Sequence, residues 1–263
     1  MPSIGLGTWP LDDAQAGAAV VHGLEAGYRL IDTAENYNNE TGIGEGIGST
    51  QVPREELFIT SKFNVKWHSV DGVRDAWEHS CTRLGVEYLD LFLIHWPNPA
   101  EGRYVEAWEG LVKLLKAGRV RAIGTSNFTT GQLQELIRAT GVVPDVNQIQ
   151  HSPYWIDDES LAFHAGHGIV TEAWGPLGRG KHNLLQAEPV VAAAHAHKVT
   201  PAQAVLRWHV QRGVVPIPKS ADPERMAQNL DVFSFDLTPE QVLAIDALDG
   251  TAGAPVSPME FGH

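Results

Sequence analysis

Four residues with chemical potential close or follow short apolar runs: Asp32 ends LID, Tyr37 lies just beyond it, Lys62 ends FITSK and His95 ends LDLFLIH. A tyrosine has an unperturbed pKa of about 10 and is a feeble acid at neutral pH unless its surroundings help. A nearby ammonium supplies that help by stabilising the phenolate left after proton donation. A carboxylate in turn keeps the ammonium charged in a partly dry pocket. Lys62 and Asp32 suit those two tasks, and His95 suits hydrogen-bonding and orienting a carbonyl oxygen. The group contains no nucleophile–base pair of the Ser/His/Asp kind. It is fitted to protonating an oxygen while an electron pair reaches carbon from another source.

A second set suggests that source. Ser126, Asn127 and Gln148 can hydrogen-bond a carboxamide, and Trp174 offers a flat face on which a nicotinamide can stack. Further on, PKSADPERMAQN places Lys219, Ser220 and Arg225 around a helix start, an anion site by charge and by dipole. The turn GPLGRGK after Trp174 leaves room for backbone to approach a pyrophosphate. Singly, each residue has an ordinary alternative: Asp32 a helix cap, His95 a satisfied core histidine, the PKSADPER segment a solvated helix start. Jointly they are better explained by a site, because a barrel core selects Val, Ile and Leu.

The elements that must position these residues are apolar runs alternating with helical patterns. Strands are expected at Ile4–Trp9, Tyr28–Thr33, Leu57–Lys62, Leu89–His95, Val120–Ser126, Val146–Gln150, Ile169–Trp174 and Val214–Pro218, and helices at stretches such as Ala14–Ala26, Val70–Leu84, Tyr104–Ala117 and Thr130–Ala139. Runs such as LDLFLIHW are continuously apolar, as strands of a parallel sheet covered by helices should be. Eight uninterrupted units point to an α/β fold, a single eight-stranded (β/α) TIM barrel spanning residues 1–263 as one domain. An open doubly wound sheet is the alternative, but GLGTW lacks its early glycine fingerprint. Thr129 or Thr130 is expected to cap one helix, and Thr238-Pro239-Glu240 to start another. In such a barrel the active site lies at the C-terminal strand ends, where the residues above fall, with Thr8-Trp9 closing strand one and Trp96 following His95.

With 263 residues, 43% of them hydrophobic and 19% charged, the composition fits a compact globule and excludes disorder, collagen and membrane spans. The lone Cys81 allows no internal disulfide and the start MPSIGLGTWP has no signal-peptide pattern, so a reducing cytoplasm is expected. A formal charge of −13 repels nucleic acid and anionic membranes. The spacings His164-x-x-His167 and His195-x-His197 fall away from the strand ends, so no metal site is expected. Trp77, Cys81 and Leu84 have helical spacing and read as core, with Cys81 an inert packed thiol.

The segments GLGTW, GYRLIDTAENYNNETGIG, FITSKF, YLDLFLIHWP, IGTSNF, NQIQ, EAWGPLGRG and IPKSADPERMAQNLDVF, in that order, resemble the aldo-keto reductase family, and most closely its bacterial 2,5-diketo-D-gluconate reductase-like members. The resemblance covers essentially the whole chain. It implies NADPH-dependent reduction of small aldehydes or ketones, with a tetrad of Asp32, Tyr37, Lys62 and His95 and Tyr37 as proton donor. It implies nicotinamide contacts from Ser126, Asn127, Gln148 and Trp174, and a 2′-phosphate held by Lys219, Ser220 and Arg225. Gln228 and Asn229 would meet the adenine, while Thr8, Leu177 and Gly178 complete the cofactor set and Trp9 and Trp96 line the substrate pocket. A monomer with no macromolecular partner is expected. The chain departs from the family at Gln150 (commonly Glu), at Ser152-Pro153 (commonly His-Pro) and at Gln228 (commonly Glu). It begins almost at strand one, so the hairpin that usually plugs the barrel bottom is expected to be reduced or absent, and its tail SPMEFGH matches no family pattern. Rival chemistries are a Schiff-base aldolase using Lys62, a glycosidase using Asp32 and Glu172, and a non-catalytic redox sensor that only binds NADPH.

Overall fold

Eight parallel strands hydrogen-bond in chain order: β1 (Leu6–Gly7), β2 (Leu30–Asp32), β3 (Phe58–Phe63), β4 (Leu89–Ile94), β5 (Val120–Ser126), β6 (Val146–Gln150), β7 (Val170–Trp174) and β8 (Val214–Ile217). A parallel bridge from Gly7 to Lys219 joins the two edges. Gly5 and Gly7 add backbone bonds to Pro216 and Pro218 at 3.1 and 3.0 Å, which makes the sheet a barrel. This computed structural model describes residues 1–180, 183–260 and 262.

Ten α-helices occur among the described residues: α1 (Asp13–Ala26), α2 (Glu40–Gly48), α3 (Val70–Leu84), α4 (Tyr104–Lys116), α5 (Thr130–Thr140), α6 (Asp158–His167), α7 (Glu188–His197), α8 (Pro201–Gln211), α9 (Pro223–Leu230) and α10 (Pro239–Asp246). Their starts follow side-chain chemistry. Thr129 caps α5 and Thr238 caps α10, each reciprocated by a glutamine three residues on. Strand one is shorter than expected. A Cβ on Gly5 would lie 2.3 Å from the Leu30 side chain, so glycine is what lets this segment approach β2. Two helices, α7 and α8, span the crossing from β7 to β8 instead of one. The segment ETGIGEGIG forms α2 despite its glycines because it lies backbone to backbone on α1, where a Cβ on Gly42 would fall 1.9 Å from the Asp13 carbonyl oxygen.

The main core fills the space between barrel and helices, with Trp108, Phe63 and Phe92 fully buried and the stripe Trp77, Cys81 and Leu84 part of it. Burial pushes the Cys81 thiol up to about 12, so it stays protonated. The barrel interior is different: Lys62 and Glu172 are both wholly buried there. No helix among the described residues is long and apolar enough to cross a membrane.

Candidate active site

The chain leaves β2 at Asp32 and makes a tight turn over Glu35–Tyr37, ended by Asn38 in the left-handed region at φ 54°. Buried Asn39 fixes this turn by accepting from the Thr33 hydroxyl at 2.9 Å and donating to the Leu11 carbonyl at 2.9 Å. Glu35 accepts the Trp67 indole N–H at 2.7 Å from the other side. Tyr37 is thereby held at the barrel mouth. Lys62, in β3, sends its Nζ to Asp32 Oδ1 at 2.7 Å, to the Thr33 carbonyl at 3.0 Å and to Tyr37 Oη at 3.5 Å. The His95 ring stands edge-on to Tyr37, with centroids 5.7 Å apart. The four residues are therefore neighbours.

For Tyr37 the help expected from Lys62 is present, but the net shift runs the other way. Burial pushes its hydroxyl above the ordinary tyrosine value and outweighs the pull of Lys62 and Arg179 in the opposite direction. The phenol is thus fully protonated at neutral pH, the form a proton donor needs. For Lys62, burial alone would pull the ammonium down. The attraction of Asp32, Tyr37 and Glu172 more than offsets that, and the net shift is up.

The second set of residues is also assembled, at the ends of β5, β6 and β7. Asn127, in the left-handed region at φ 64°, donates to Ser126 Oγ at 3.0 Å and to the His95 carbonyl at 3.1 Å. Its Oδ1 accepts the Trp174 indole N–H at 2.7 Å, which fixes the plane of that ring. Gln148, expected to meet a carboxamide, already bonds within the barrel: its Nε2 donates to Asp32 Oδ2 at 2.8 Å and to Glu172 Oε2 at 2.9 Å. Both amide hydrogens are committed inside the barrel, and Gln148 offers a ligand only its oxygen. Burial, then the charge of Asp32, pushes the Glu172 carboxyl up to about 8.

One cavity of about 920 Å³ connects the two sets. Tyr37, His95, Asn127 and Trp174 line it, as do Thr8, Trp9, Trp96 and Leu177, and Lys219 and Arg225 reach it from the β8 side. Lys62 lies beneath this wall. Gly178, Ser220, Gln228 and Asn229 do not line the cavity: Ser220 Oγ bonds to the Asp222 carbonyl at 3.2 Å, Gln228 donates to Glu224 at 3.3 Å, and Asn229 is buried. Lys181, the last residue of GPLGRGK, and Phe261 and His263 of the tail lie outside the described residues.

The sequence does not single out Arg179. Its guanidinium lies 4.6 Å over the Trp9 ring and 5.6 Å over that of Trp174, bringing a third cation to the cavity. A basic residue among glycines in a loop carries no periodic signal, so only the loop path reveals it.

Two rival chemistries lose their geometry. A Schiff base needs a neutral amine open to substrate, whereas Lys62 is wholly buried and charged. A glycosidase needs its sugar between the two carboxyl groups, and between Asp32 and Glu172 stands Gln148. Of the histidine pairs, His164 bonds Asn147 at 3.0 Å and Thr171 at 2.8 Å, and His197 bonds Gln241 at 2.8 Å. Among the described residues no group of three or more His, Cys, Asp and Glu side chains is placed to hold a metal ion.

Comparison with known proteins agrees with this architecture. The profile of the aldo/keto reductase family matches residues 3–250. A 2,5-diketo-D-gluconic acid reductase B of Corynebacterium sp. is 47% identical over 245 residues, 93% of this chain and 88% of that protein. A methylglyoxal reductase of Yersinia pestis is 42% identical, covering 100% and 94% of the two chains. Among solved structures, a Gox0644 mutant in complex with NADPH superposes with a TM-score of 0.94 at 42% identity, covering 100% of this chain and 95% of that one. An aldo-keto reductase of Bombyx mori in complex with NADP gives 0.88 at 34% identity, covering 95% and 90%. The chain belongs to the aldo/keto reductase family.

Proposed function

We propose that the cavity is the seat of NADPH-dependent reduction of small aldehydes or ketones, sugar-derived diketo acids among them, with Tyr37 as the proton donor. The observation that carries this reading is the contact of Tyr37 Oη with Lys62 Nζ at 3.5 Å, with Lys62 held by Asp32 at 2.7 Å, at the wall of a cavity that Arg179, Lys219 and Arg225 also line.

The residues fit an NADP(H) cofactor. The indole of Trp174, held by Asn127, supplies a face for the ring, and the oxygen of Gln148 accepts from an amide nitrogen. Lys219 and Arg225 supply positive charge for a 2′-phosphate in a chain of net charge −13, and the partner of Arg225, Asp222, is 3.6 Å away and part exposed, a pairing too loose to occupy it. The bound cofactor supplies the hydride that reaches the carbonyl carbon. Tyr37 gives its hydroxyl proton to the carbonyl oxygen as negative charge gathers there, and Lys62 stabilises the phenolate left behind. His95 orients the carbonyl oxygen, and Trp9 and Trp96 form the apolar wall beside it. General acid catalysis of this kind contributes typically about 10² to 10⁴ in rate.

The proposal places one barrel domain over residues 1–263 in the cytoplasm, acting as a monomer. Its test is NADPH consumption, followed by absorbance, against a panel of aldehydes, ketoses and diketo acids. Turnover supports the reading. Borohydride trapping of substrate on Lys62 without NADPH oxidation would replace it with the aldolase, and NADPH binding without turnover across the panel would leave a sensor.

A further inference from the structure

Glu172 sits in β7 opposite Gln148 of β6, wholly buried inside the barrel. Its Oε2 accepts from Gln148 Nε2 at 2.9 Å, and its Oε1 meets no described hydrogen-bond partner. Lys62, the cation whose charge acts on it, is committed to Asp32 at 2.7 Å. A hydrogen-bonded line thus runs from Tyr37 through Lys62, Asp32 and Gln148 to Glu172.

We infer that Glu172 is a positioning residue for the reductase site: through Gln148 it fixes which atom of that amide faces the cavity, and its own protonation sets the charge behind Asp32. The inference rests on the reductase reading given above. Turned the other way, Gln148 would set its oxygen against two carboxyl groups, and the cavity would lose its acceptor for a carboxamide nitrogen. Asp32 alone engages one amide hydrogen; Glu172 engages the second and locks the orientation.

The charge balance follows from the same contacts. Asp32 and Lys62 face Glu172 from β2 and β3, Gln148 faces it from β6, and β8 brings only Val214, Val215, Pro216 and Ile217. Lys62 and Asp32 neutralise each other, so a protonated Glu172 adds no charge. Once ionised, it adds an uncompensated negative charge one amide away from Asp32. That charge opposes a phenolate at Tyr37 and weakens the proton donor, so reduction slows on the alkaline side. The Glu172 carboxyl, pushed up to about 8 by burial and then by Asp32, titrates where this is measurable.

The test compares wild type, Glu172→Gln, which keeps an acceptor for Gln148 but cannot ionise, and Glu172→Leu, which removes both. Three quantities are read: the pH profile of kcat, the NADPH Kd from tryptophan fluorescence, and the protonated-carboxyl band in the infrared, wild type minus Glu172→Gln. We expect wild-type kcat to fall as that band fades near pH 8. Glu172→Gln should keep kcat at neutral pH within about threefold and lose the alkaline fall, and Glu172→Leu should bind NADPH roughly tenfold more weakly. An alkaline fall retained in Glu172→Gln, or a band that titrates in the ordinary carboxylate range, overturns the inference, as does unchanged NADPH affinity in a folded Glu172→Leu. Should Glu172→Leu not fold, the Glu172→Gln profile and the band decide. An inactive wild type overturns the reductase reading instead, and the band and NADPH affinities then judge Glu172.

Discussion

Lys62 and Asp32 meet at 2.7 Å inside the barrel, with side chains 0% and 6% exposed. Removing one partner of a buried pair leaves the other charge uncompensated, at a cost of about 3–5 kcal/mol. Lys62→Met is therefore expected to lose stability and activity together. Lys62→Met combined with Asp32→Asn should recover much of the stability, since no lone charge remains buried, and none of the activity. Urea unfolding read beside kcat separates the two effects; a stable and active Lys62→Met enzyme would uncouple Lys62 from Tyr37.

Cofactor preference follows from Lys219 and Arg225. NADPH and NADH differ by a ribose 2′-phosphate, and charge-assisted hydrogen bonds to it are worth roughly 1.5–3 kcal/mol each. After desolvation, a preference for NADPH on the order of tenfold to a hundredfold in Kd is expected. Arg225→Ala should weaken NADPH and leave NADH nearly unchanged, and raised salt should act in the same direction more gently. Equal losses for the two cofactors in fluorescence titrations would remove this cluster from the 2′-phosphate.

Acid should destabilise the fold through its buried histidines; burial pulls His151 well below the ordinary imidazole value. Burial pulls His68, His164 and His209 each down to about 4. In the unfolded chain they take up protons below about pH 6.5, while the native state does not until about pH 4. The stability they contribute is complete above the unfolded value and is lost as pH falls from about 6.5 to about 4, by at most on the order of 3 kcal/mol each. Urea midpoints at pH 7.5 and 5 should therefore differ, with the lower midpoint at pH 5. A midpoint unchanged over that interval would show these rings to be accessible to protons in the native state.

The barrel and its strand-end residues are legible in the sequence because a parallel strand reads as an apolar run, and the polar residue that stops the run marks the mouth. Asp32, Lys62, His95, Ser126 and Trp174 all stand out this way. The glycine-bounded β1 is less so, since Gly5 and Gly7 are there for close approach to β2 and β8, and pairing covers only Leu6–Gly7. Glu172 is visible as a charge inside VTEAW, yet its partner is not: that Gln148 stands between it and Asp32 depends on the register of β6 against β7. Arg179 reaches Trp9 only through the path of its loop. Ser220, in the loop between β8 and α9, and Gln228 and Asn229 on α9 carry suitable groups, but these turn onto the Asp222 carbonyl, onto Glu224 and into the interior.

The most direct test of the account is Tyr37→Phe, assayed for NADPH-driven carbonyl reduction and for NADPH affinity in parallel. The substitution removes one hydroxyl whose only hydrogen-bond partner among the described residues is Lys62 at 3.5 Å. The account predicts an NADPH Kd close to that of the wild type and kcat lower by roughly 10²-fold or more. Wild-type turnover in a folded Tyr37→Phe protein would contradict it and place the proton donor elsewhere.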